Sequence, residues 1–177
     1  NNSLNSLLKI IEEPSEKNHF ILIDNKSKPL LKTIYSRCLV FKIILNEDKR
    51  QNIIESLIKL FNLKVVINTK ESKLTPGSFI KFNYILDENK ILVNDDFQKN
   101  LEYILQLYKK EKNIIFIDMI LFLTNNYFNN LNKKSIYSKE KIIGYKNFVF
   151  ENINKFFLYN LNQNALLSSI KNKMNDK

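Results

Sequence analysis

Arg37 stands between Ser36 and Cys38, and it is one of two arginines, with Arg50, in a chain that otherwise carries its positive charge on lysine. A guanidinium keeps its proton at any working pH and presents a planar fork of donors to phosphate oxygens. An arginine retained against such a bias points to a position that needs guanidinium geometry, which lysine does not supply. The bland alternative is an ordinary surface or helix-end arginine. Cys38 has no activating base in its neighbourhood and reads as a small buried hydrophobe. Asp24 and Asn25 close an apolar run, Phe20 to Ile23, at what would be the carboxyl end of a strand, the ligand edge of an open α/β sheet. The same pair is equally good turn chemistry. Glu12 and Glu13 are adjacent, so on a helix they diverge and form no acid–base dyad. His19, the one histidine, reads as a strand-edge residue. One cysteine excludes an intrachain disulfide and a multi-cysteine metal site, and one histidine cannot build a His-rich metal centre and leaves no margin for a conventional catalytic triad.

The elements that must position these groups are short. Asn2 or Ser3 caps a helix with Leu4, Leu7, Leu8 and Ile11 at helical spacing, and Pro14 ends it. His19 to Ile23 has the continuous apolar character of a buried parallel strand. Asn25, Lys26, Ser27 and Pro29 are turn residues. A short helical stretch from Leu30 to about Tyr35 follows, and Cys38 to Ile44 reads as a second strand. This alternation is the grammar of an α/β layer, and two strands alone do not make a stable sheet. The chain begins at Asn1 without an initiator methionine, and it is expected to be part of a longer protein whose remaining strands lie upstream.

From Asn46 the pattern turns helical. Asn46 caps an amphipathic helix with Glu47 and Asp48 in its first turn and Ile53, Ile54, Leu57, Ile58 and Phe61 as its apolar face. Thr75, Pro76 and Gly77 open another, running to about Leu86. Asn94, Asp95 and Asp96 form an acidic break and cap a third, with Phe97, Leu101, Ile104, Leu105 and Tyr108 on one face. Helices follow over Asn113 to about Leu131, Lys139 to about Tyr159 and Asn162 to about Met174, interrupted only at Gly144. The fold class is therefore mainly α with a short α/β N-terminal portion, the helices closing as a bundle.

Composition bounds the partners. The 177 residues are 44% hydrophobic and 26% charged, with a net charge of +10. That excludes wholesale disorder, permits a polyanionic partner such as DNA, and is equally explained by an AT-rich coding bias towards Lys, Asn and Ile. The lysines form no stripe along the sequence, and periodicity does not interleave aromatics with exposed bases as a stacking platform requires. No apolar run is long enough to cross a bilayer and no signal peptide is present, so a cytoplasmic location is expected.

The ordered string Leu7-Leu8-Lys9, Glu12-Glu13-Pro14, Phe20-Ile21-Leu22-Ile23, Asp24-Asn25, Leu30-Leu31-Lys32-Thr33-Ile34 and Ser36-Arg37-Cys38 closely resembles the end of the AAA+ core in bacterial clamp-loader subunits. The resemblance covers about the first quarter of the chain. It implies a C-terminal fragment in three parts: residues 1–45 as the last part of the AAA+ core, with a parallel sheet, a sensor-1 strand and the SRC motif; 46–94 as the helical lid; and 95–177 as a helical collar for oligomerisation. It implies that Arg37, supported by Ser36 and Cys38, is an arginine finger acting in trans on ATP and Mg held by a neighbouring subunit, and that Asp24 and Asn25 occupy the sensor-1 position. No metal or cofactor would be bound by this chain itself, and it would not be catalytic alone. Implied partners are gamma/tau and delta subunits, the sliding clamp and primer-template DNA, with no membrane.

Within that family the chain is similar to the delta-prime type of DNA polymerase III. Leu30-Leu31-Lys32-Thr33 stands where gamma/tau has Leu-Pro, Ile80 stands where gamma-like lids place the sensor-2 arginine, with Lys81 beside it, and Tyr159-Asn160-Leu161-Asn162-Gln163 resembles delta-prime tails. Two rival readings remain: a gamma/tau-like ATPase with its Walker motifs upstream, and a basic helical nucleic-acid-binding domain with a chance SRC.

Overall fold

A computed structural model describes residues 11, 17–24, 31–93, 96–135 and 137–175. The expected first-helix residues Leu4, Leu7 and Leu8, its stop at Pro14, the turn at Asn25 to Pro29, and Asn94 and Asp95 lie outside them. The chain divides into two compact units, residues 1–45 and 46–177.

In the first unit the described residues include the short helix α1 (Lys32–Tyr35), with Ile34 buried beneath it, and Ile11 is helical. The stretches expected as strands, His19–Ile23 and Cys38–Ile44, are in no ladder among the described residues. The physical reason is the missing partner: a parallel strand is held by hydrogen bonds to neighbours and buried by layers on both faces. Here alternate side chains stand bare, with Ile21, Ile23, Leu39, Phe41 and Ile43 between 83% and 93% exposed. Among its described residues the α/β portion thus shows two segments outside any ladder, not a formed sheet.

The second unit is entirely helical among its described residues: α2 (Glu47–Leu60), α3 (Pro76–Glu88), α4 (Phe97–Glu111), α5 (Ile115–Lys134), α6 (Lys139–Tyr159) and α7 (Gln163–Asn175). The starts follow cap chemistry. Asn46 accepts from the Lys49 amide at 2.9 Å, Thr75 from Ser78 at 3.3 Å ahead of Pro76, Asp96 from Gln98 at 2.9 Å, and Ser138 from Lys141 at 3.3 Å. α2 packs on α3, while α4, α5, α6 and α7 close a ring of antiparallel neighbours, α7 returning to α4. One hydrophobic core runs through both groups, from Ile54, Phe79 and Leu86 to Leu101, Met119, Ile120, Val149, Ile153 and Ile170. Phe82 on α3 meets Phe122 on α5 at 5.7 Å between ring centroids. The expected apolar face of α2 is only half used: Ile54 is buried, whereas Ile53 and Phe61 are exposed, Phe61 lying just beyond the last turn.

Gly144 does not interrupt α6. It lies inside the helix, exposed, and an added Cβ would meet nothing within 4 Å. Gly144→Ala therefore removes unfolded-state freedom without a clash, and should raise stability by about 0.5–1 kcal/mol. Urea unfolding followed by circular dichroism measures this.

Candidate functional site

Arg37 lies just past α1, on the exposed side of a tight corner. The Ser36 amide is bonded to the Lys32 carbonyl and the Arg37 amide to the Ile34 carbonyl, so the backbone turns over buried Ile34. The Ser36 hydroxyl and Arg37 Nη1 both donate to the Thr33 carbonyl oxygen at 3.0 Å. Residues 33–37 thereby form a self-bonded knuckle with the guanidinium exposed at its surface. Cys38 is half-buried behind it as a free thiol.

Asp24 is tied to the same corner: Tyr35 donates its phenol hydrogen to Asp24 Oδ2 at 3.0 Å across eleven residues of sequence. That hydrogen bond, together with the carboxylate charge, pushes the Tyr35 hydroxyl above the ordinary tyrosine range. Asp24 is therefore engaged by a phenol, a contact that no spacing argument anticipated. His19, Asp24, Arg37 and Cys38 all line one open groove of about 880 Å³, whose remaining wall is mostly apolar residues of the two segments. Asn25, Glu12 and Glu13 lie outside the described residues. A guanidinium, a phenol-bonded carboxylate and a thiol do not make a complete catalytic set. They make an exposed donor fork on a braced corner, suited to an anion presented from outside. The 177 residues hold two glycines, Gly77 and Gly144, too few and too far apart for a phosphate-cradling GxxxxGK[ST] loop.

The second arginine answers a different need. Arg50 is 7% exposed. Its Nε and Nη2 engage both carboxylate oxygens of Glu47, its Nη1 donates to the Leu74 carbonyl at 2.9 Å, and its Nη2 also reaches the Thr69 carbonyl at 3.1 Å. It pins the segment before α3 onto the first turn of α2. Arg50→Lys cannot make the fork, and should cost about 2 kcal/mol of stability in chemical unfolding. The Arg50 hydrogen bonds hold the Glu47 carboxyl below the usual glutamate range. A depressed folded-state pKa stabilises above the unfolded value and is lost as pH falls through the folded one. The melting temperature of Glu47→Gln should accordingly be less sensitive to acid than that of the wild type.

In α3 Phe79 is buried, Ile80 half-buried and Lys81 exposed, so where the resemblance expects a sensor-2 arginine the side chain is apolar and the adjacent lysine faces solvent. Gln163, in the tail string, is 5% exposed and donates to the Glu102 carbonyl at 3.3 Å, joining α7 to α4. Among the described residues, no three His, Cys, Asp or Glu side chains converge as a metal would require. No helix among them is long and apolar enough to cross a membrane.

Residues 1–47 match the family described as "DNA polymerase III, delta subunit". The chain is 33% identical over 132 residues, 68% of its length, to a "DNA polymerase III subunit delta'" of Buchnera aphidicola subsp. Schizaphis graminum, of which it covers 39%. It is 27% identical over 183 aligned residues to the delta' protein of Buchnera aphidicola subsp. Acyrthosiphon pisum, covering 96% of this chain and 52% of that one. A "DNA polymerase III subunit gamma" from the latter organism is 36% identical over 91 residues, 51% of this chain and 24% of the relative. The chain thus spans about half or less of the delta' relatives' length. No solved structure matches.

Proposed function

From the premise that this chain is of the delta-prime type among the clamp-loader subunits of bacterial DNA polymerase III, we propose that it is a non-hydrolysing member of the loader. It lends Arg37 in trans to ATP and Mg held by an adjacent gamma/tau subunit, and so takes part in placing the sliding clamp on primed DNA in the cytoplasm. The observation that carries this reading is the exposed Arg37 guanidinium on a corner braced from within by Ser36 and Thr33. A finger must be held by its own fold and offered to another, and phosphate oxygens suit its planar donors.

The bare alternate side chains Ile21, Ile23, Leu39, Phe41 and Ile43 support a place for both segments in the parallel sheet of an AAA+ core, where neighbouring strands and helices cover them. Residues 46–94 then serve as lid and 95–177 as collar, through which gamma/tau and delta are contacted. The gamma relatives support a second reading, an ATPase whose phosphate loop lies in another part of a longer protein. Ile80 at the lid position opposes it, because an apolar side chain neutralises no phosphate charge. The test is Arg37→Lys in the full-length protein within a reconstituted loader, read as ATPase stimulated by DNA and clamp. An unchanged rate defeats the finger assignment.

A further inference from the structure

The α5–α6 end of the helical bundle gathers lysines and aromatic rings that no single helix face displays. Residues 129–150 carry five lysines against one carboxylate, Glu140, and Lys133 is paired with Glu71 at 2.9 Å, which leaves Lys134, Lys139, Lys141 and Lys146 as the local excess. α7 brings Lys171 and Lys173 with no acid of its own. Lys141 Nζ lies 5.4 Å from the Tyr137 ring centroid and 5.7 Å from that of Tyr145, and the two rings meet edge to face at 6.1 Å. Lys173, from the far end of α7, stands 6.0 Å over Phe148, one turn along α6 from Tyr145. Tyr145 is buried, whereas Tyr137 keeps 39% of its surface open.

Helix electrostatics accounts for some of these lysines and not others. Lys133, Lys134 and Lys173 occupy last turns, where the helix dipole favours cations. Lys139 and Lys141 occupy the first turn of α6, where it disfavours them. A pair of cations held at the unfavourable helix end, one of them fixed between rings, is organised for an anionic partner outside the chain. An open tyrosine beside them adds a flat surface on which a base can stack.

We propose that this end of the bundle binds single-stranded DNA, with backbone phosphates on Lys139, Lys141 and Lys173 and a base on Tyr137. Charge complementarity selects a polyanion. The exposed ring selects unpaired bases over duplex, whose bases are already stacked. The proposal does not depend on Arg37, and its test reads DNA binding instead of ATPase.

The experiment is fluorescence anisotropy of a labelled oligo-dT of about 20 nucleotides with the 177-residue chain, titrated at several salt concentrations. The triple variant Lys139→Gln, Lys141→Gln, Lys173→Gln should bind about tenfold or more weakly and flatten the dependence of log K on log salt by about 2. Tyr137→Ala should bind about fivefold or more weakly with the salt dependence unchanged. The triple Lys109→Gln, Lys110→Gln, Lys112→Gln removes the same charge from the opposite end of the bundle, where Glu111 interrupts the run. It should stay within about twofold of the wild type. Circular dichroism melting of each variant establishes that the bundle is intact. Equal losses from the two triples, no effect of Tyr137→Ala, no binding by the wild type, or equal affinity for duplex or for polyglutamate would each overturn the proposal.

Discussion

Lysine in place of Arg37, in the full-length protein assembled into a loader, is expected to lower the ATPase stimulated by DNA and clamp by about tenfold to a hundredfold. Arginine fingers in phosphoryl transfer are worth on the order of 10³ or more in turnover, because charge spreads over the transferring oxygens and a planar pair of donors meets it. Lysine keeps the charge and loses the second prong, so part of that factor survives. The corner itself should be undisturbed. Its backbone bonds from Ser36 and Arg37 to Lys32 and Ile34 and the Ser36–Thr33 bond do not use the guanidinium, whose bond to the Thr33 carbonyl is exposed. The variant should therefore co-purify with the other subunits and leave nucleotide affinity within about twofold, placing the loss in turnover. A full ATPase rate from an assembled variant loader would reduce Arg37 to a surface residue. Failure to assemble would mean that the corner carries the interface, and Arg37→Gln with normal assembly would separate charge from packing.

The two arginines also illustrate how far sequence reading reaches. Scarcity of arginine in a lysine-rich chain marks both positions as candidates for a need of guanidinium geometry, and the structure places them differently: Arg50 buried on Glu47, Thr69 and Leu74, Arg37 exposed with Nη1 on the Thr33 carbonyl. Scarcity alone does not distinguish them, because burial is a tertiary property. Helix starts are legible for a local reason, since Asn46, Thr75, Asp96 and Ser138 bond amides two or three residues away. Helix ends are less so. With two glycines in the chain, α4, α5 and α6 finish on left-handed Lys112, Ser135 and Asn160, and a lysine or serine in that role carries little signature. The strand pattern of His19–Ile23 and Cys38–Ile44 is plain in the alphabet, yet a ladder is a property of two segments at once. The Tyr35–Asp24 bond and the meeting of Lys173 with Phe148 are non-local in the same sense.

The most hidden of these non-local groups is Asn83, and its replacement is expected to be the costliest single change to the α2–α3 pair. In the sequence it is one asparagine among many, on a helix otherwise read for its apolar face. In the structure it is fully buried on α3. Its Oδ1 accepts from the Val66 amide at 2.7 Å and the Ile67 amide at 3.2 Å, and its Nδ2 donates to the Lys64 carbonyl at 2.6 Å. One side-chain amide thus does for residues 64–67 what a neighbouring strand would do. Asn83→Ala strands two donors and an acceptor at the edge of the core. Each such group left unpaired away from water costs about 1–3 kcal/mol, so with partial relief by entering water the loss should be about 2–4 kcal/mol. Asn83→Asp keeps the acceptor but sets a carboxylate oxygen against the Lys64 carbonyl, and should lose as much or more. Asn83→Gln keeps both functions at the wrong reach and should fall between wild type and Asn83→Ala. Urea unfolding gives these numbers, and amide hydrogen exchange locates them. In Asn83→Ala the Val66 and Ile67 amides should lose protection while Leu101 and Val149 in the bundle keep theirs. A loss below about 0.5 kcal/mol would mean that water replaces Asn83 without penalty, and that Arg50 and the core at Ile54, Ile67 and Phe79 hold α2 to α3 by themselves.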